Sequence, residues 1–182
     1  MSCIIANGRL EACKDSISGL DAVYFINYGD ITGVTLNATF PDDFDAVQGV
    51  ANLYKFELKG ANSFEQAITS SRENGTTFVE QTLIIQLKRQ DSQSHKTVKL
   101  LSYGRPHVVV KTKAGQFFLA GYNFGMDLTA GGIMSGTAMG DYNGYQLTFT
   151  VQEPLAANIL QVGGNTDALL ATFFDDATIV TS

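Results

Sequence analysis

Residues 64–87, FEQAITSSRENGTTFVEQTLIIQL, form two arms that alternate apolar and polar side chains around Asn74-Gly75. Alternation on both sides of an Asn-Gly pair predicts a β-hairpin. The second arm runs from Thr76 for about a dozen residues, roughly 40 Å, whereas ordinary strands end near five or six residues. We therefore expect more sheet, or another copy of the chain, beside this hairpin.

A two-residue turn at Asn74-Gly75 would place Glu73 opposite Thr76 and fix which side chains share a face. The more apolar face would pair Phe64 with Ile85, Gln66 with Leu83, Ile68 with Gln81 and Ser70 with Val79. The polar face would pair Glu65 with Ile84, Ala67 with Thr82, Thr69 with Glu80 and Ser71 with Phe78. The first face belongs against a core, and the second is either an ordinary solvated surface or a functional one.

The remaining sequence predicts a mostly β chain with one flanking helix, arranged as an antiparallel barrel or sandwich. Asp91 or Ser92 is a candidate N-cap for a helix over 91–103 that ends at Gly104. Residues 125–140 are small and rich in glycine, which favours turns and a flexible connection. Strands are predicted at 22–28, 31–37, 52–59, 107–112, 116–120 and 144–152.

Length and composition indicate one domain, 1–182, large enough to bury a core. We divide it into an N-terminal arm (1–19), a β body (20–160) and a C-terminal segment (161–182). The formal net charge is −6 and the twelve Lys and Arg residues are scattered, which disfavours general nucleic-acid binding. The start of the chain lacks the pattern of a signal peptide, and no apolar stretch reaches about 18 residues, so we expect no membrane partner.

Enzyme chemistry has little support in the sequence, and we expect no catalytic residue, cofactor or metal. His95 and His107 are the only histidines. The run 131–136 has Ile133 where a nucleophile elbow requires glycine. Asp42, Asp43 and Asp45, or Asp141 with Asn143, are weak calcium candidates because neither set matches a calcium-loop signature.

Cys3 and Cys13 are the only cysteines, and we expect free thiols in a reducing compartment, with a disulfide between them as the alternative outside the cell.

A ring of copies would explain the hairpin, because pairing between copies covers strand edges that otherwise promote aggregation. In such a ring the polar face would line a channel. The lumen candidates are Glu65, Thr69, Ser71, Glu80, Thr82 and Gln86. The candidates for contact between subunits are Phe64, Ile68, Leu83, Ile85, Leu169, Leu170, Phe173 and Phe174. The N-terminal arm around 3–14 is expected to lie on a neighbouring copy.

The order of these elements resembles the tail-tube proteins of tailed bacteriophages and, more distantly, the tube proteins of contractile secretion systems. Three features carry the resemblance over roughly residues 20–160. They are the long hairpin followed directly by the helix, the strand pair RPHVVVKT and GQFFLAG, and the closing run SGTAMGDYNGYQLTFTVQEP (135–154). The segment CKD at 13–15 with YFINY at 24–28 adds to it.

The resemblance implies a structural protein of the virion tail, assembled in the host cytoplasm as stacked, hexameric rings. DNA would pass through the channel without specific binding, and other tail or neck proteins would be partners. Two alternatives remain open. One is a ring, connector or terminator protein at the head–tail junction, and the more remote one is a monomeric β-barrel that binds a small ligand.

Overall fold

A computed structural model describes residues 8–11 and 13–181. Within them the chain forms twelve strands and two helices. The strands are β1 (Leu20–Ile26), β2 (Gly33–Leu36), β3 (Phe44–Gln48), β4 (Asn52–Glu57), β5 (Ser63–Ser71), β6 (Thr76–Lys88), β7 (His107–Thr112), β8 (Phe117–Ala120), β9 (Asp127–Met134), β10 (Gly144–Glu153), β11 (Asn158–Leu160) and β12 (Thr178–Val180). The helices are α1 (Ser92–Tyr103) and α2 (Asp167–Phe173).

The strands form two sheets, and the predicted mostly β class is confirmed. The large sheet has the order β12-β4-β1-β7-β8-β11-β3-β2, and the small sheet has the order β5-β6-β10-β9. Pairing is antiparallel throughout the small sheet, whereas β11 with β3 and β12 with β4 are parallel in the large one. Over the described residues both sheets keep two free ends, so the fold is an open sandwich and not a closed barrel.

The central strand β1 is buried on both faces and separates two apolar clusters. Val23 and Phe25 point into the cluster between the sheets, together with Leu83 and Phe149 of the small sheet. Tyr24 and its alternate neighbours point the other way, into a cluster that the large sheet shares with α2. This double burial explains why 22–26 reads as a continuous apolar run.

Helix α1 begins where the sequence predicts. Oδ1 of Asp91 accepts a hydrogen bond from the backbone N–H of Ser94 at 2.7 Å, which is the N-cap arrangement. The N–H of Gly104 donates to the carbonyl of Leu100 at the other end. Val98 is the buried residue of this helix, so α1 is held by a narrow apolar stripe.

Two expectations about the second half of the chain are wrong: that residues 125–140 form turns and a flexible connection, and that the chain has one helix. The glycine-rich segment 125–140 contains β9, which pairs with β10 along most of its length and is an edge strand of the small sheet. The C-terminal segment adds the second helix, α2, and the strand β12 beside β4. Both elements are held by long-range packing and pairing.

The described part of the N-terminal arm, 8–11 and 13–19, is exposed and contains neither helix nor strand. Cys13 is exposed and carries a free thiol. The expectation about Cys3 lies outside the described residues. Neither α1 nor α2 has the length and apolar character that crossing a membrane would require.

Candidate functional site

The two faces of the small sheet differ in the way that the hairpin sequence predicts. Side chains at alternate positions of β6, such as Val79, Leu83 and Ile85, are buried against the large sheet. The positions between them point away from it. The outward face is therefore the one large polar surface that the alternation of these strands creates.

All six lumen candidates lie on this outward face. One row across it runs Glu65, Thr82, Thr150 and Asp127, from β5 through β6 and β10 to β9. The next row contains Ala67, Glu80 and Gln152. Thr69 and Ser71 lie toward the hairpin tip and Gln86 toward the opposite end of the sheet. Sequence alone did not assign the β9 and β10 members of this face.

The register of the hairpin differs from the prediction by two residues. The turn has four residues, 72–75, so that Ser71 pairs with Thr76 and Phe64 pairs with Leu83. The N–H of Asn74 donates to the hydroxyl of Ser71 at 3.2 Å and supports the wider turn. Because side chains alternate with a period of two, this shift leaves every residue on its predicted face.

Charge on the outward face is mostly negative. Glu65, Glu80 and Asp127 contribute carboxylates, and Lys88 at one end contributes an ammonium group. Arg105 lines a pocket together with Glu80 and Asp127. Hydroxyl groups from threonines fill much of the remaining area; Thr150 Oγ1 and Thr129 Oγ1, for example, lie 3.2 Å apart. Such a surface offers phosphate groups little attraction.

The edges of the small sheet are its second notable feature. In the described residues β5 pairs with β6 alone, and β9 pairs with β10 alone. Each edge strand therefore presents backbone N–H and C=O groups without a strand beside them. By contrast, β6 is paired on both sides, because β10 covers it from Val79 to Lys88. The long second arm is thus completed within the chain, and only β5 and β9 could extend the sheet.

Most of the predicted contact residues are buried in the chain itself, which corrects that prediction. Leu83 and Ile85 are fully buried between the sheets. Phe64 is partly buried against the same cluster. The side chains of Leu170, Phe173 and Phe174 fill the core beneath the large sheet, so the C-terminal cluster covers its own chain. Two of the candidates stay exposed: Ile68 at 74% and Leu169 at 42%.

The candidates for metal or acid–base chemistry have structural partners. His107 is buried, and its Nδ1 lies 2.7 Å from the carbonyl of Gly121. Asp45 accepts from the amide of Asn37, and Asp43 accepts from Gln161, each at 2.8 Å. No group of three metal-ligating side chains occurs among the described residues.

Asp141, one of the weak calcium candidates, closes a turn. Its Oδ2 accepts hydrogen bonds from the backbone N–H groups of Thr137 and Ala138, at 2.8 and 2.7 Å. These bonds lower the pKa of the carboxyl below its ordinary value.

A polar cluster that the sequence did not predict lies between the large sheet and α2. The hydroxyl of Tyr24 and the ammonium of Lys55 each donate to Asp167, one to each carboxylate oxygen, at 2.7 Å. Burial, with the bond to Asp167, raises the pKa of Tyr24, and the bond to Asp167 raises that of Lys55. Burial alone would raise the pKa of Asp167, but the two donors outweigh it and lower the pKa. The two donors hold the carboxylate of Asp167 and thereby anchor α2 to the large sheet.

An open cleft of about 420 Å³ lies between the β2–β3 loop and the segment after β10. Its two buried polar side chains are already satisfied. Glu153 accepts three hydrogen bonds from Asn123 and Phe124, at 2.7 to 3.0 Å. The amide of Gln81 bonds to Gly121 and Leu155. The two buried polar side chains of the cleft therefore have their partners within the chain.

Comparisons with protein-family models, with curated proteins and with solved structures found no match for this chain. The function of the outward face and its edges is accordingly inferred from their geometry.

Proposed function

We propose that this chain is a structural subunit of a phage tail tube, forming stacked hexameric rings around a channel for DNA. The observation that carries the proposal is the small sheet, which has a mostly polar outward face and, among the described residues, an unpaired strand at each edge. Free edges are a liability for an isolated molecule, because they promote aggregation. If copies of the sheet join side by side, the edges are covered and the polar faces form one continuous surface.

The strand directions suit such joining. Each of the three pairings in the small sheet is antiparallel, so β9 runs opposite to β5. A second copy that places its β5 beside the first copy's β9 would continue the alternation without interruption. The contact is of the head-to-tail kind, in which two different surfaces meet, and it closes into a ring when the rotation between copies allows.

A ring built in this way would be wide. Six copies of a four-stranded sheet would give about 24 strands, and barrels of 16 to 18 strands already leave an aqueous channel. The face of each small sheet that is buried against its own large sheet would point away from the ring axis. The polar face would border the channel. Its carboxylates would repel the phosphates of DNA, which would let DNA slide through without binding.

A ring or terminator protein at the head–tail junction is the second candidate function. It would use the same sheet edges, and its copy number in the particle distinguishes it, because a tube protein is abundant and a junction protein forms a single ring. A monomeric ligand-binding barrel receives no support from the sandwich. Its interior is filled by side chains, with Phe25 and Phe149 in ring contact at 5.3 Å beside Met126.

The proposal is tested by sedimentation velocity and negative-stain electron microscopy of the purified chain over a range of concentrations. Rings or tubes about as wide as a phage tail are the expected result. A chain that stays monomeric at high concentration, and that no virion partner recruits, would overturn the proposal.

Two adjacent proline substitutions in β9, Gly132→Pro and Ile133→Pro, make the test specific to the sheet edge. Neighbouring residues of an antiparallel strand direct their backbone amides to opposite sides of the strand. One proline therefore removes a hydrogen bond to β10, and the other removes an N–H donor from the free edge of β9. The variant that keeps the melting temperature of the wild type should fail to assemble. Normal assembly of that variant would contradict edge pairing through β9.

A further inference from the structure

Helix α1 lies beside the β9 edge of the small sheet and presents an uncovered apolar surface. The side-chain amide of Gln90, just before the helix, donates to the carbonyl of Met134 at the end of β9, at 2.7 Å. Val98 and Leu101 join the cluster between the sheets, so α1 lies on the inward side of the small sheet. On its other side Leu100 is 63% exposed and Tyr103 is 91% exposed. These two residues are three apart and share one face of the helix.

The opposite edge of the same sheet carries a second uncovered apolar residue. Ile68 of β5 pairs with Val79 and belongs to the inward face, yet on this edge strand it is 74% exposed, whereas Val79 beside it is buried. The inward side chains of this part of the hairpin are uncharged. They are Gln66, Ile68, Ser70, Thr77, Val79 and Gln81.

We propose that the Leu100–Tyr103 face of α1 is the docking site for the β5–β6 hairpin of an adjacent copy, with Ile68 of that copy as its apolar anchor. This inference rests on the proposed function, since it needs β5 of one copy beside β9 of the next. Placing them side by side continues the inward face across the junction and brings the added strand next to α1, which lies on that side of the sheet beside β9. A single contact between two copies therefore covers the exposed apolar residues of both, together with the free β9 edge of one copy and the free β5 edge of the other.

The charge at this site is compatible with the hairpin of a second copy. Lys96 and Lys99 lie on α1 next to Leu100, so this part of the helix surface is basic. A hairpin face without charged groups can approach the lysine stems without placing like charges together, and it leaves the ammonium groups in water. The contact adds a second surface to the backbone pairing and fixes the direction in which copies add.

Reciprocal charge substitutions test the contact. Ile68→Lys brings a cation to Leu100 and the neighbouring lysines, and Leu100→Glu places a carboxylate against Ile68. Either change alone should raise the concentration needed for half-maximal assembly by about tenfold or more. The double variant should recover most of this loss, because the two new charges attract each other. Leu36→Lys, at a leucine that is 54% exposed on β2 of the large sheet, is the matched control and should assemble like the wild type.

Folding is checked separately by the melting temperature at a concentration below assembly, which these exposed substitutions should leave nearly unchanged. If the wild type assembles and the single variants assemble equally well, the docking site is overturned and the tube proposal stands. A double variant no better than the single ones also overturns direct contact between Ile68 and Leu100. If the wild type fails to assemble at all, both proposals fail.

Discussion

The hydroxyl of Tyr24 donates a 2.7 Å hydrogen bond to Oδ1 of Asp167, and thereby joins the central strand β1 to the helix α2 near the end of the chain. The other oxygen of Asp167 accepts from Lys55 on the neighbouring strand β4. Tyr24 is fully buried, whereas the carboxylate of Asp167 retains access to water. These three side chains hold the C-terminal segment on the large sheet, together with the apolar contacts of Leu170 and Phe174.

Tyr24→Phe should lower the free energy of unfolding by about 1–2 kcal/mol, because it removes a hydrogen bond to a charged group and keeps the ring in place. Asp167 would retain Lys55 and water, which limits the loss. The measurement is urea unfolding of the monomer, compared with Tyr122→Phe at a tyrosine that makes a ring contact with Phe44. A midpoint equal to that of the wild type would contradict a stabilising role for the Tyr24 hydroxyl.

The pH dependence of stability should report Asp167. Its pKa is lower in the folded chain than in the unfolded one, where a carboxyl titrates near about 3.9, so its contribution is present above that pH and is lost as the pH falls through the folded value. The difference in unfolding free energy between the wild type and Asp167→Asn should be constant from about pH 5 to 8 and shrink below about pH 4. A difference that is unchanged at pH 3 would disprove this linkage.

Gly144 is a position that tolerates no side chain. It begins β10 between β6 and β9, and a Cβ there would collide with the carbonyl oxygen of Leu87 and lie 3.0 Å from the hydroxyl of Tyr142. Gly144→Ala should therefore destabilise the fold by about 2–4 kcal/mol. Gly140→Ala, in the preceding loop with no atom within 4 Å of its Cβ, should change stability by less than about 0.5 kcal/mol. Thermal unfolding of both variants makes the comparison, and equal effects would contradict the steric argument.

The hairpin shows which part of a fold local sequence can determine. Alternation assigned each residue of 64–71 and 78–86 to the correct face, because that pattern depends only on strand geometry. The register was displaced by two residues because Asn74-Gly75 was read as the whole turn, whereas 72–75 all belong to it. The prediction of α1 succeeded for a similarly local reason, since Asp91 caps the helix through its own neighbour Ser94.

Elements that depend on distant partners were missed. The strand β9 contains Gly131 and Gly132, which have low strand preference, and it forms because β10 lies beside it. For α2 a weak signal existed: Thr166 caps the helix, and Leu170 and Phe173 recur at helical spacing. The same apolar residues predicted an external partner only because the sequence did not reveal that the large sheet covers them.

Reversing the charge of the outward face of the small sheet should make this face bind DNA. Glu65→Lys with Glu80→Lys changes the formal charge of each subunit from −6 to −2, at two positions that lie in adjacent rows of this face. If the face borders a channel, assembled tubes should then retain duplex DNA at low salt and release it as salt is raised, since each phosphate contact displaces counterions. Genome ejection by particles carrying the variant should be slower.

The matched control is Glu11→Lys with Asp15→Lys, which makes the same charge change on the exposed N-terminal arm. Both double variants are first checked for normal folding and tube formation, so that any difference reports the location of the charge. DNA retention by the Glu65/Glu80 variant alone, removed by salt, is the expected result. Equal DNA retention by the two variants, or unchanged ejection by the first, would show that the outward face does not border the path of DNA. The proposal requires that the effect depend on where the new charges lie and not on the total charge.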